Sequence, residues 1–323
     1  MNLAMIEAAA KRLAGHGRVT PLLSSPFVDE IAGRRVLVKP ECLQHTGSFK
    51  YRGAWSAISA MDPELRARGV IAFSSGNHAQ GVALAARQHG IAAVIIMPED
   101  APRMKIDNTR ALGAEVVLYD RARGEDRDEI GARISSERGL TLVKPFDNEF
   151  VIAGQGTTGL EIAAQAKAEG IETGDVLVCC GGGGLTSGIA LALEGHAPGM
   201  RARPVEPEGF DDVARSLASG QIERNTGPAV GLCDAIITPS PGNLTFPIMA
   251  RLCGPGLVVT DAQAKAAMRV AFDRLKLVLE PGGAVALAAA LYHGDQVEGE
   301  AVIAVASGGN VDADLFAQIL AEG

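Results

Sequence analysis

Short apolar runs rich in β-branched residues alternate with amphipathic stretches along most of this chain, and that alternation sets the fold class. Residues 35–39, 69–73, 91–97, 115–119, 175–180, 257–260 and 301–306 read as strands. Between them, 80–89, 103–112, 127–138, 261–277 and 283–292 carry helical spacing, with Asp261 placed to cap the fourth. Strands that are apolar at nearly every position need cover on both faces, which parallel sheets receive from crossover helices. The class is therefore α/β. At 323 residues the chain has room for two lobes. Residues 63–147 hold three or four strand–helix units and predict a small α/β domain, leaving 1–62 and 148–323 to form a larger one. Open sheets of this kind bind ligands beyond the carboxyl ends of their strands, so the two lobes predict a cleft between them.

Composition removes other classes. Hydrophobic content of 47% and charged content of 21% match a globular protein rather than a disordered one. A net charge of −8 speaks against a nucleic-acid-binding surface. The first residues lack the basic start and long apolar core of a signal peptide, and no apolar run reaches bilayer length. Five scattered cysteines (Cys42, Cys179, Cys180, Cys233 and Cys253) include no C-x-x-C pair. Free thiols in a reducing cytoplasm are expected, not disulfides or a structural zinc.

Five stretches carry candidate chemistry. The first runs from Thr46 to Ala54 and sets Lys50 at the mouth of a helix among hydroxyl and small residues. A lysine held in an apolar pocket loses its proton more easily and becomes a nucleophile toward carbonyls, whereas an exposed one is a hydrated cation. The second, Ser74-Ser75-Gly76-Asn77-His78, follows a strand and opens a helix, where hydroxyls and free backbone N–H groups suit a carboxylate or phosphate. In the third, Gly181, Gly182, Gly183 and Gly184 join a strand to the helix that opens at Leu185. Several bare N–H groups can converge there on a phosphate, although the spacing is neither a Walker A loop nor a dinucleotide fingerprint. The fourth puts Ser307 at the end of the last strand. The fifth, from Glu206 to Asp212, offers oxygen ligands for Mg²⁺ or Ca²⁺, or else simply charges the start of a helix.

In order, Ser48-Phe49-Lys50-Tyr51-Arg52-Gly53-Ala54, Ser74 to Gln80, the tetraglycine loop, Glu280-Pro281-Gly282-Gly283-Ala284 and Ser307-Gly308-Gly309-Asn310-Val311-Asp312 resemble the fold-type II pyridoxal-phosphate enzymes. The similarity spans essentially the full chain and falls in the branch of serine/threonine dehydratases and serine racemase. It implies a two-domain fold like the tryptophan synthase β chain, with twisted, mostly parallel sheets covered by helices and the cofactor in the interdomain cleft.

The resemblance also implies roles. Lys50 would be the covalent anchor of pyridoxal 5′-phosphate and the Cα base, with Phe49 packed on the ring. Asn77 would bond the ring 3′ oxygen, Gly181 to Gly184 with Leu185 would hold the phosphate, Ser307 would face the ring nitrogen, and Glu280 would be a cleft glutamate. Ser74, Ser75, Asn77 and His78 would hold the substrate carboxylate, with Ser75 as acid/base opposite Lys50. Glu206, the Phe210 carbonyl and Asp212 match a divalent-cation loop for Mg²⁺, Mn²⁺ or Ca²⁺, although Phe210 is bulkier than its counterpart in many relatives.

The implied activity is an ammonia-lyase that eliminates water from a β-hydroxy amino acid such as L-threonine or L-serine, giving a 2-oxo acid and ammonia. A 3-hydroxyaspartate dehydratase and a serine racemase share the same apparatus, and a non-catalytic amino-acid or phosphate binder is the reading from another class. Arg52, His45 and Arg103 are the candidate cations near the lysine or the substrate's distal end. A homodimer is the assembly the family implies, and feedback control through a C-terminal regulatory domain is not expected.

Overall fold

The computed structural model describes residues 1–74, 76–101, 103–120, 123–227 and 230–322. Among the described residues, ten strands form two sheets. They are β1 (Leu23–Ser24), β2 (Arg35–Pro40), β3 (Val70–Phe73), β4 (Ala93–Pro98), β5 (Glu115–Tyr119), β6 (Thr141–Leu142), β7 (Gly174–Cys179), β8 (Met200–Pro207), β9 (Leu257–Val259) and β10 (Ala301–Ala306). One sheet runs β1-β2-β10-β7-β8-β9, parallel except for the short β1 edge. The other is fully parallel, in the order β5-β4-β3-β6. Every residue of β4, β7 and β10 is buried, as expected for strands covered on both faces.

β8 is the longest strand that pattern reading passes over, along with the two-residue β1 and β6. Met200-Arg201-Ala202-Arg203-Pro204-Val205-Glu206-Pro207 lacks a continuous apolar run, and proline is rare in a central strand. Its charges are accommodated individually. Arg203 pairs with buried Asp175 at 3.1 Å, and Glu206 accepts two helix N–H groups.

Residues 261–277 are not one helix capped by Asp261. Thr260 is the N-cap and exchanges reciprocal hydrogen bonds with Gln263, which places Asp261 one residue inside. The helix Asp261–Val270 then widens into a π turn, Ala271–Leu275, ended by Lys276 at φ 59°. The 20-residue helix Glu149–Ala168 is the centre of the larger lobe, packed against helices Lys50–Ser59 and Gly184–His196. It carries three glycines, which lower helix propensity but permit close approach. A Cβ on Gly188 would lie 2.6 Å from the Gly156 nitrogen, so these helices meet nearly backbone to backbone.

Candidate active site

Two adjacent parallel strands of the six-stranded sheet set the floor. Val305 of β10 pairs in register with Val178 of β7, so both carboxyl ends emerge side by side. The 181–184 glycines follow β7 and Ser307 follows β10. From the facing lobe, β3 delivers Ser74, and the helix Asn77–Gln88 begins three residues earlier than periodicity indicates, which puts Asn77 and His78 in its first turn. These ends enclose a cavity of about 280 Å³.

Lys50 is held at the wall of that cavity by its neighbours. Ser48 bridges Gly308, Phe49 N–H donates to the Ser307 carbonyl at 3.2 Å, and Gly309 N–H donates to the Gly47 carbonyl at 2.9 Å. The Lys50 and Ser307 segments are thus stitched together although they lie at opposite ends of the sequence. Lys50 Nζ donates to the Pro145 carbonyl at 3.0 Å and lies 5.1 Å from the centre of the Phe49 ring. Burial pushes its pKa down to about 8, against an opposing pull from Glu280. The lysine can therefore lose its proton near neutral pH.

The glycine loop is a cradle that side chains would fill. A Cβ on Gly182 would lie 2.4 Å from the Phe146 ring, and one on Gly181 would lie 2.9 Å from the Ile236 carbonyl oxygen. Gly183 has φ 88° and Gly184 opens the helix Gly184–His196, whose unpaired N–H groups and dipole face the loop. Thr245 Oγ1 donates to the Gly182 carbonyl at 2.6 Å and fixes the loop from behind. Leu185 is buried in the core beneath it. Bare amides at a helix N-terminus, set across from a deprotonatable lysine, fit a phosphorylated aldehyde.

The opposite wall is a hydrogen-bonded chain. Asn77 Nδ2 donates to Glu280 Oε1 at 2.6 Å, while Asn310 Nδ2 donates to Asn77 Oδ1 at 2.7 Å and to the Thr46 carbonyl at 2.8 Å. Burial pushes the Glu280 pKa up to about 7. His78 is buried, and burial together with the Lys50 charge pushes its pKa down to about 3. Its Nε2 meets the Val143 carbonyl at 2.8 Å, which requires Nε2–H and leaves Nδ1 as an unpartnered lone pair. The His78 ring is therefore uncharged near neutral pH. Ser74 lines the cavity and its Oγ accepts the Gly76 N–H at 3.1 Å. Ser75 lies outside the described residues.

Three expected cations do not reach the cavity. Arg52 stands two residues beyond Lys50 on one helix, so it projects to another face. It is fully buried against Glu41 at 2.7 Å and Glu161 at 2.6 Å. His45 packs edge-on against Tyr51, and Arg103 is solvent-exposed beside Asp107. Among the described residues, the cations that line the cavity besides Lys50 are Lys105 and Arg127, which face it together with Asp234. Sequence reading gives no sign of them, because each sits in a stretch that reads as an ordinary polar surface.

Glu206 and Asp212 meet away from this cavity, behind the end of β8. Glu206 Oε1 and Oε2 accept the N–H groups of Val213 and Ala214 at 3.0 and 2.7 Å, capping the helix Asp212–Ser219. Asp212 Oδ1 accepts from Asn225 Nδ2 at 2.6 Å, while its buried Oδ2 has no partner. Phe210 donates its N–H to the Pro207 carbonyl at 3.0 Å. Among the described residues, no three His, Cys, Asp or Glu side chains are arranged to hold a metal ion.

Comparison with known proteins shows the family of the chain. Residues 13–308 match the family model described as pyridoxal-phosphate dependent enzyme, and the chain belongs to that family. An L-threo-3-hydroxyaspartate ammonia-lyase from Pseudomonas sp is 44% identical over 313 residues, covering 97% of this chain and 96% of that one. The crystal structure of a threonine deaminase from T.th. has a TM-score of 0.90 at 44% identity, covering 97% of this chain and 99% of that one. Maize serine racemase has a TM-score of 0.91 at 36% identity, covering 99% and 97% respectively. The two-domain α/β architecture is that of fold-type II pyridoxal-phosphate enzymes.

Proposed function

We propose that this protein is a pyridoxal-phosphate-dependent ammonia-lyase that removes water from a β-hydroxy amino acid such as L-threonine or L-serine and releases a 2-oxo acid and ammonia. The observation that carries the reading is Lys50 Nζ, pushed toward its neutral form, in one cavity with the 181–184 glycines, Asn77 and Ser307. The ammonia-lyase and deaminase relatives support it.

The bound cofactor supplies an electron-accepting ring that acidifies the Cα–H of an attached amino acid. Lys50 is the amine that would tether the cofactor, and its Nζ would take the Cα proton. The amides of Gly181, Gly182, Gly183 and Gly184, backed by Leu185, hold the phosphate. Phe49 would pack on the ring, Asn77, oriented by Glu280, would hold the ring 3′ oxygen, and Ser307 would face the ring nitrogen. A hydroxyl there does not enforce a protonated ring, which suits elimination over long-lived negative charge at Cα. Ser74, Asn77 and His78 bind the substrate carboxylate through hydroxyl, amide and backbone donors, and His78 stays uncharged while doing so. Ser75 is assigned the acid/base role on the face opposite Lys50 from the sequence motif alone. If that residue returns a proton to Cα, racemisation accompanies elimination, a second reading favoured by the racemase relatives.

We assign 63–147 to the small domain, with 1–62 and 148–323 as the large one. All four strands of the smaller sheet fall within the first range. Glu206, the Phe210 carbonyl and Asp212 are proposed to hold a divalent cation, supported by the unpartnered, buried Asp212 Oδ2. A homodimer in the cytoplasm completes the proposal. All five cysteines are free, and no helix among the described residues is long and apolar enough to cross a membrane.

The test is a substrate panel with the reconstituted protein: both isomers of serine and threonine, and the 3-hydroxyaspartate isomers, followed by 2-oxo acid release. Release from at least one of them supports the assignment. Cofactor uptake with no release from any of them would contradict it.

A further inference from the structure

Thr46 is one of two non-glycine residues with positive φ among the described residues, at 61°. Its carbonyl accepts from Asn310 Nδ2 at 2.8 Å, and Gly47, at φ 73°, makes room for that side chain. A Cβ on Gly47 would lie 2.6 Å from Asn310 Oδ1. The same Nδ2 donates to Asn77 Oδ1 at 2.7 Å, and Asn77 Nδ2 donates on to Glu280 Oε1. Asn77 and Glu280 line the cavity, and Asn310 stands behind Asn77.

This chain of amides has a direction, and its end at Thr46 imposes it. A backbone carbonyl can only accept, so Thr46 fixes the NH₂ end of Asn310 toward itself and toward Asn77. Asn77 must then turn its oxygen to Asn310 and its NH₂ to Glu280 and the cavity. Glu280 alone does not enforce that. Burial pushes its pKa up to about 7, so near neutral pH it is partly protonated, and a protonated carboxyl can donate to a flipped Asn77. Lys50, Lys105 and Asp234 are the charges that act on Glu280, and the thiols of Cys42, Cys179 and Cys233 lie within its field. We propose that Asn310 is a positioning residue, which holds the Asn77 amide with Nδ2 rather than Oδ1 toward the ring 3′ oxygen of the bound cofactor. The inference rests on the cofactor reading above and deepens it. An N–H donor favours the ionised ring oxygen, whereas a carbonyl there favours the protonated one. A fixed amide therefore keeps the cofactor in one charge state.

The test compares wild type, Asn310→Ala, Asn310→Asp, Asn77→Ala and the Asn77→Ala/Asn310→Ala double variant, with circular dichroism as the folding control. Two properties are measured. One is the ratio of visible to near-ultraviolet cofactor absorbance in the reconstituted protein, from about pH 6 to 8. The other is hydrogen exchange of the Asn77 side-chain amide in the apoprotein, followed by nitrogen-15 NMR. The absorbance ratio should fall about tenfold below neutral pH in Asn310→Ala, the size of one lost hydrogen bond. Asn310→Asp, which has the same shape and no NH₂, should lower it likewise. Asn77 exchange should quicken about tenfold in Asn310→Ala. In the Asn77→Ala background, Asn310→Ala should change the ratio no further. A full further change there would overturn the proposal by making Asn310 a staple for the Thr46 turn alone. An unchanged ratio in both Asn310 variants, or unchanged exchange in Asn310→Ala, would overturn it by leaving Glu280 to orient Asn77. If wild type takes up no cofactor, the cofactor reading fails separately, while the exchange rates still decide the role of Asn310.

Discussion

Asn77 and Glu280 lie 203 positions apart in the chain, yet Asn77 Nδ2 meets Glu280 Oε1 at 2.6 Å. Each residue stands at the start of a helix, Asn77–Gln88 on one side and Pro281–Tyr292 on the other. The contact orients the side chain assigned to the cofactor ring, and it places a carboxyl group where water cannot solvate it. Burial is the leading cause that moves Glu280 up, and Asp234 adds to it, while Asn77, Lys105 and Lys50 oppose it.

That shift has a stability signature. Glu280 takes up a proton on folding between its unfolded value of 4.5 and its folded value of about 7. The unfolded chain binds fewer protons there, so its contribution to stability falls as pH rises through this window and is flat outside it. Glu280→Gln in the cofactor-free protein should therefore gain on wild type between about pH 4.5 and 8, by about 3 kcal/mol at most. Urea denaturation at the two pH values measures this. A difference independent of pH would mean that Glu280 titrates as a solvated carboxyl.

Gly182→Ala should lower cofactor affinity by at least about 30-fold, or ~2 kcal/mol. The new methyl group lies 2.4 Å from the Phe146 ring, and the ring can relieve that only by moving against the cradle. Equilibrium titration of the apoprotein with pyridoxal phosphate checks it. Wild-type affinity in this variant would show that the loop does not hold the phosphate.

Arg52→Met should destabilise the protein by about 3–5 kcal/mol, because Glu41 is left buried without its cation. Adding Glu41→Gln should recover part of the loss. Chemical denaturation of the single and double variants measures both. If Arg52 instead bound substrate, the single variant would lose activity at unchanged stability.

Much of the architecture was legible because its physics is local. β4, β7 and β10 are buried on both faces and read as unbroken apolar runs, and the tetraglycine loop declares itself between a strand and a helix. β8 was not legible, since Arg203 and Glu206 find partners, Asp175 and a helix N-terminus, that only the tertiary fold provides. The helix Glu149–Ala168 was hidden by glycines that neighbouring helices explain: Gly154 lies against the Arg52 carbonyl, Gly156 against Gly188 and Gly159 against Ile189. At the site, the lysine and glycine motifs carried their own signal. Lys105 and Asp234 did not, because a cation on a polar helix and an acid on an irregular segment look like surface until the two lobes are brought together.

Chelation should separate the Glu206 corner from the cofactor site. EDTA is expected to lower the melting temperature and activity of wild type, with recovery on adding Mg²⁺, Mn²⁺ or Ca²⁺. Asp212→Asn should abolish the response, because the unpartnered Oδ2 is the oxygen proposed to ligate the cation. An identical EDTA response in Asp212→Asn would place any cation elsewhere.

The central claim is that Lys50 is the amine that anchors the cofactor. Borohydride reduction of the reconstituted protein fixes the cofactor's aldehyde carbon to whichever amine holds it, and peptide mass mapping then reads the position. A phosphopyridoxyl group on Lys50, absent from Lys50→Ala together with at least about a thousandfold of the turnover, is the predicted result. A modified lysine elsewhere, or substantial elimination by Lys50→Ala, would contradict the account.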